Sequence, residues 1–216
     1  MPLAYKEIIN PDVVIGLWRL DESPGELKKM VALDHEAEDY FTSFSNEKRK
    51  KQWLGYRLLL QQLLEVDSLN ITYDKSGKPF IPGASFHFSV SHSGEYSAAI
   101  IDRSNPVGID IEKIRDRIER VKERFLSEME LQNIGTENRN EKLHVCWGAK
   151  ESLYKAYGNP EVDFMSNMHL TQFDYLCSGI GAFKAIFHMG ERVMHFRIHY
   201  RKLEDYMLVW AVHNEQ

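Results

Sequence analysis

Two long runs of helical periodicity, each followed by segments that alternate apolar and polar residues, constrain this chain more than any other feature. Residues 45–66 ("SNEKRKKQWLGYRLLLQQLLEV") carry Trp53, Leu54, Leu58, Leu60 and Leu64 on a broad apolar stripe, with the basic residues crowded into the first half. Residues 141–158 ("EKLHVCWGAKESLYKAYG") form the second run and stop on Gly158. Before and after the first run lie strand-like segments: "VVIGLWRL" from Val13, read as the first strand, then "NITYDKSGKPFIPGASF", with turns at Ser76-Gly77 and Pro82-Gly83. "FHFSVSHSG" alternates cleanly, with Phe86, Phe88 and Val90 facing one way and His87, Ser89 and Ser91 the other; "YSAAIID" is its expected hairpin partner.

The second half repeats the order. "VGIDIE" predicts a strand and "IRDRIERVKERF" a solvated helix. "SEMELQNIG" predicts a helix with a capping box between Ser127 and Glu130 and a stop at Gly135. Beyond residue 158, "HLTQFDYL", "GAFKAIFH", "RVMHFRIHY" and "DYMLVWAVH" all read as strands. The expected fold class is α+β, in two α/β subdomains spanning 1–105 and 106–216. No internal repeat is visible in the letters.

Composition narrows the function classes. A net charge of −5 argues against a general nucleic-acid binder. The longest apolar run, "YMLVWAV", is too short to span a bilayer, and "MPLAYKEIINPDV" lacks the apolar segment of a signal peptide. Cys146 and Cys177 lie in no paired motif, which predicts buried free thiols in a reducing cytoplasm.

"VGIDIE" raises a charge problem. Its Val107, Ile109 and Ile111 alternate with Gly108, Asp110 and Glu112, so the two acids share one strand face, roughly 7 Å apart along the chain. Like charges so placed repel unless something holds them. Glu151 and Lys155 are four apart and share a helix face, which alone suits a surface ion pair. A divalent cation gives Asp110, Glu112 and Glu151 one explanation. Carboxylates without a Cys or His cluster suit a hard ion, magnesium first and manganese second. Magnesium commonly binds phosphate as well. Lys48, Lys51 and Arg57 on the first helix, Lys78 in "SGKP", and Ser91 and His92 in "SVSHSG" offer an anion pocket.

"GKPF", "FHFSVSHSG", "VGIDIE" and "WGAKESLYK", in this order and spacing, resemble the 4′-phosphopantetheinyl transferases of the surfactin-activating (Sfp) type. The pair "GIDIE" and "WxxKESxxK", about 35 residues apart, carries most of the specificity; the resemblance runs from about residue 44 to 158. It implies two similar α/β subdomains related by a pseudo-two-fold, with coenzyme A in the cleft between them. It implies Mg²⁺ on Asp110, Glu112 and Glu151, and a phosphate contact for Lys155. Lys78, Ser91 and His92 match coenzyme A contacts, His92 near the 3′-phosphate; Lys48, Lys51 and Arg57 match more loosely.

The activity implied is transfer of the 4′-phosphopantetheine arm of coenzyme A to a serine of an apo acyl or peptidyl carrier protein, releasing 3′,5′-ADP. Glu151 and Lys155 are the candidate catalytic residues, and Glu130 is a second candidate base with a helix cap as its simpler role. The basic segment with Arg115, Arg117, Arg120, Lys122 and Arg124, beside Ile114 and Ile118, is the expected contact for an acidic carrier. The expected protein is cytoplasmic and monomeric, with no nucleic-acid or membrane partner. Two rivals use the same residues. A metal-dependent phosphohydrolase or nuclease would explain the acids, and a non-catalytic coenzyme A-binding module would explain the basic residues.

Overall fold

The computed structural model describes residues 3–158 and 161–214. The fold is mixed α/β, and the chain divides into two compact units, residues 1–104 and 105–216.

The first unit opens with a strand that the sequence reading passed over. β1 (Leu3–Asn10) pairs antiparallel with β2 (Val13–Arg19). Its residues alternate between half-buried and exposed and include Lys6 and Glu7, so no continuous apolar signal marks it. Then follow α1 (Pro24–Met30), α2 (His35–Thr42) and α3 (Glu47–Leu64). Asn46 caps α3 by accepting the Arg49 N–H, and Glu65, in the left-handed region at φ 57°, closes it. The short pair β3 (Thr72–Tyr73) and β4 (Pro79–Phe80) precedes the hairpin of β5 (His87–Ser93) and β6 (Tyr96–Asp102). The main sheet has the order β1-β2-β6-β5. The apolar stripe of α3, including Leu54, Leu58 and Leu59, shares one buried cluster with Trp18, Ala99 and Ile101 of that sheet. At roughly 25 cal/mol per Å² of apolar surface removed from water, such a layer supplies the bulk of a unit's stability.

The second unit starts with β7 (Val107–Lys113). The predicted helix after it is instead two 3₁₀ turns, Asp116–Arg120 and Lys122–Arg124. Glu119 ties this segment down: its carboxylate accepts from Lys122 and, through both oxygens, from Arg139. α4 (Glu128–Ile134) begins at the expected capping box, and α5 (Arg139–Tyr157) ends at Gly158, φ 76°. β8 (Met168–Leu170), β9 (Ile180–Met189), β10 (Arg192–Leu203) and β11 (Tyr206–His213) complete an antiparallel sheet of order β7-β11-β10-β9-β8. The strand expected over "HLTQFDYL" stops at Leu170. Beyond it the chain is held by rings: Phe173 stacks on Phe183 and Tyr175 on Tyr200. An alternating pattern thus served aromatic packing instead of a ladder.

Helix α5 lies on the sheet face that carries Gly108, Asp110 and Glu112. A Cβ on Gly108 would overlap the Ser152 carbonyl oxygen, and one on Gly148 would run into Val209. Ser152 donates its hydroxyl to the Val209 carbonyl, 3.1 Å. The other face of β7, with Val107, Ile109 and Ile111, is buried too. "VGIDIE" is therefore covered on both sides, and Asp110 (4% exposed) does not stand on a solvated face. The thiol expectation holds for Cys146, which is free and buried, and its burial pushes the group up to about 12. Cys177 is free but exposed, because it lies in the irregular stretch after β8.

Candidate active site

The second unit brings Asp110, Glu112, Glu151 and Lys155 to one place. Asp110 and Glu112 are alternate residues of β7 and so point to the α5 side together. Glu151 and Lys155 sit one turn apart on α5. Lys155 does not pair along its own helix in the manner of a surface ion pair. Its ammonium donates to Asp110 Oδ1 at 2.7 Å and to the Ile109 carbonyl at 3.0 Å, bridging helix to strand. Glu151 is half-buried. Burial, and after it the Asp110 charge with a smaller push from Glu112, raises its carboxyl to about 7, against the pull of Lys155.

That shift has a testable consequence. Glu151 holds a proton in the fold at pH values where the unfolded chain has released it. Its stabilising protonation is complete below the ordinary carboxylate value and is lost as pH rises through about 7. The metal-free protein should therefore lose stability between about pH 4.5 and 8, on the order of 3 kcal/mol from this group. Urea midpoints across that range measure it, and Glu151→Gln should flatten the slope. An equal slope in both proteins would show that Glu151 is not the group involved.

Among the described residues, no three His, Cys, Asp or Glu side chains are drawn close enough to form a ready metal site. The donor chemistry nevertheless fits a hard divalent cation. Three carboxylates lie within electrostatic reach of one another, close enough to raise Glu151, and the Lys155 ammonium offsets part of their negative charge. Lys155 on Asp110 and a divalent ion on Asp110 are alternative ways of balancing the same charge.

The basic candidates lie in the first unit, spread over three places. Lys48 is exposed in the first turn of α3; Lys51, one turn on, donates to the Leu20 carbonyl at 3.1 Å. Arg57 lies in the core, 3% exposed. Its guanidinium stacks 3.7 Å from the Trp53 ring centre and donates to Tyr56, Tyr73 and the Ile71 carbonyl. Those bonds use three of the five N–H groups of the guanidinium. Lys78 sits in the β3–β4 turn, which Asp74 organises by accepting from Ser76 and from the Lys78 N–H. Burial lowers the Lys78 ammonium, and Asp74 partly restores it. Ser91 is buried and His92 exposed, as successive residues of an edge strand must leave opposite faces.

Two features escaped the sequence reading. The first is Lys150, fully buried, whose ammonium donates to both oxygens of Glu130 (2.8 and 3.1 Å) and to the carbonyls of Phe164 (2.9 Å) and Met168 (2.7 Å). Glu130 also accepts from the Ser127 and Leu170 N–H groups. This carboxylate is fully engaged as a cap and counter-ion. The signal was present: Lys150 lies three and four residues from Cys146, Trp147, Leu153 and Tyr154, on an apolar stripe where a cation requires partners. The second is a cavity of about 350 Å³ beside Glu112, with Ile118, Val121 and Trp147 among its apolar lining and Lys113, Arg117 and Arg120 among its basic lining. His144 lines it as well, locked as a neutral imidazole: Nδ1 donates to the Asn140 carbonyl and Nε2 accepts the Arg115 N–H.

Comparisons with known proteins find relatives of this chain. Residues 106–211 match the family model described as the 4′-phosphopantetheinyl transferase superfamily. The chain is 34% identical over 148 residues to the 4′-phosphopantetheinyl transferase Sfp of Bacillus subtilis, covering 58% of this chain and 66% of that one. It is 33% identical over 132 residues to the 4′-phosphopantetheinyl transferase gsp of Aneurinibacillus migulanus, covering 57% and 55%. It is also 31% identical over 132 residues to the L-aminoadipate-semialdehyde dehydrogenase-phosphopantetheinyl transferase of Xenopus laevis, covering 50% and 43%. The alignments thus span 43% to 66% of these relatives' own lengths.

Proposed function

The chain belongs to the 4′-phosphopantetheinyl transferase superfamily, and from that premise we propose that it moves the phosphopantetheine arm of coenzyme A onto a carrier-protein serine. The observation that carries the reading is the grouping of Asp110, Glu112, Glu151 and Lys155 between β7 and α5, all inside the matching stretch 106–211. The second unit supplies the metal and catalytic groups, and the first unit, of similar α/β make, supplies coenzyme A contacts. The pseudo-two-fold relation of the two is part of the same proposal.

Asp110, Glu112 and Glu151 would hold Mg²⁺, or Mn²⁺, which when bound neutralises pyrophosphate charge. The remaining work falls to the chain's own groups. The carrier serine Oγ attacks the β-phosphorus of coenzyme A, the bond to the bridging oxygen breaks, and 3′,5′-ADP leaves. Glu151, as a metal ligand close to the reacting phosphate, is the acceptor for the serine proton, directly or through water. Lys155 places its ammonium where charge builds on the phosphoryl oxygens. Glu130 takes no part, since Lys150, Ser127 and Leu170 occupy it. Lys48, Lys51, Lys78, Ser91 and His92 are the coenzyme A contacts; Arg57 acts from the core by fixing Trp53, Tyr56 and Tyr73. The basic and apolar cavity beside Glu112 suits an acidic, amphipathic carrier surface. The protein is read as a cytoplasmic monomer with no nucleic-acid partner; among the described residues no helix is long and apolar enough to cross a membrane.

The 3′-phosphate gives a specific expectation. If Lys78 and His92 hold it, dephospho-coenzyme A should be used at least about tenfold less well, and Lys78→Ala or His92→Ala should shrink the gap. Competition kinetics measure this, and equal use of both substrates by the native protein would remove the two residues from the site. The phosphohydrolase rival is separated by omitting the carrier. A transferase leaves coenzyme A intact without it and releases 3′,5′-ADP only when an apo carrier is added. Steady cleavage without the carrier favours the rival.

A further inference from the structure

From the bonds that occupy both nitrogens of its ring, we infer that His144 is a positioning residue for the carrier protein: it fixes where the basic segment 115–124 starts against α5, and so sets how tightly the carrier docks, without entering the chemistry. The inference rests on the transferase reading and on the expected contact between that segment and an acidic carrier. His144 is 4% exposed. Its Nε2 lies 3.1 Å from the Arg115 nitrogen, whose N–H can only donate. Nε2 therefore supplies its lone pair, and Nδ1 carries the ring's proton, which goes to the Asn140 carbonyl at 2.8 Å. Burial favours this neutral ring.

Arg115 is where the chain leaves the sheet. One residue earlier, the Ile114 N–H still bonds to the Asp205 carbonyl at 2.7 Å; the next N–H turns to α5. Two further ties come from the first turn of α5: the Asn140 amide donates to Asp116 at 3.2 Å, and Arg139 donates to Glu119. His144 is buried, whereas Arg139 and Asn140 are half-buried, so the tie to Arg115 is the one least open to competition from water. The segment that it starts carries Arg117 and Arg120, which line the cavity of about 350 Å³ together with Ile118, Trp147 and His144 itself. Ile118 is a separate anchor, buried in one cluster with Leu143 and Cys146 of α5. Losing the His144 bond should therefore leave the segment folded but let its arginines shift against the helix. Glu151 and Lys155 lie about two and three turns further along α5, so docking is separable from rate.

The experiment measures steady-state transfer to an apo carrier by the full chain, with carrier and coenzyme A varied separately. His144→Phe keeps the ring's bulk and loses both bonds. His144→Asn is too short to reach Arg115 and gives the same test if His144→Phe folds poorly. His144→Gln carries an amide oxygen long enough to accept the Arg115 N–H. His144→Phe and His144→Asn should raise the carrier KM about tenfold, the order expected for one buried N–H left without its acceptor. Their KM for coenzyme A, and kcat at saturating carrier, should stay within about twofold of native. His144→Gln should bring the carrier KM back to within about threefold of native. An unchanged carrier KM in the first two variants overturns the inference and leaves the transferase reading standing. So does a loss confined to kcat, or shared by both substrates, which marks a general structural role. A carrier KM for His144→Gln as high as that for His144→Phe also overturns it, since the ring's shape would then matter and its bonds would not. If the native protein modifies no carrier at all, the transferase reading fails and this inference with it.

Discussion

Lys150→Met is expected to destabilise the protein by about 3–5 kcal/mol. The ammonium is fully buried and spends its three protons on four acceptors, two of them the oxygens of Glu130. Methionine fills the same volume but leaves the Glu130 carboxylate and two carbonyls without that donor. Glu130 keeps its cap bonds from Ser127 and Leu170, which do not neutralise its charge. Burial alone weakens the Lys150 ammonium, and Glu130 is what holds it charged. The double variant Glu130→Gln with Lys150→Met should therefore recover a substantial part of the loss, because it removes both charges together. Urea denaturation of the three proteins decides the matter. A loss below about 1 kcal/mol for Lys150→Met would mean that the pair contributes no more than an exposed one does.

The second large effect is on rate. Asp110→Asn should lower transfer by about a thousandfold or more while the protein stays folded, because it removes a charge from the centre of the site at constant shape. Its effect on stability has a sign that the strand pattern alone suggests wrongly. Two acids side by side imply that removing one relieves repulsion. In the structure Asp110 is the counter-ion of Lys155, at 2.7 Å. Its loss leaves that ammonium without its carboxylate, and since Lys155 is partly exposed the expected cost is modest, roughly 1 kcal/mol. Steady-state rates at saturating Mg²⁺ and a thermal melt without metal test both halves. A normal rate would make Asp110 a structural acid.

The parts of the fold written in strong periodicity were legible: α3 and α5, the β5–β6 hairpin, β7, and the long strands after residue 180. Each has a stripe or alternation that only one secondary structure can bury. What was missed has a physical reason in each instance. β1 is an edge strand with charged residues on it. The segment after β7 has helical composition, but its Ile118 is buried and its Glu119 is pulled to Arg139, so it closes into 3₁₀ turns. At the site, the sequence could show which carboxylates and lysines share a face, but not which partner each one takes. Lys155 faces the strand acid instead of its helical neighbour, and Arg57 turns into an aromatic cluster, because the partners that decide this are remote in the chain: Asp110 for one, Tyr73 and Ile71 for the other. Lys150 was hidden for the same reason, with Glu130 and two loop carbonyls as its partners.

The central claim is that this chain covalently modifies a carrier protein with part of coenzyme A. Intact-mass spectrometry tests it most directly, with the protein incubated with coenzyme A, Mg²⁺ and apo acyl and peptidyl carrier proteins. The expected result is a carrier heavier by one phosphopantetheine, located on a serine, with no gain in excess chelator or with the Asp110→Asn variant. A panel of carriers that all keep their apo mass while coenzyme A remains whole, or while it is cleaved to free products, would contradict it.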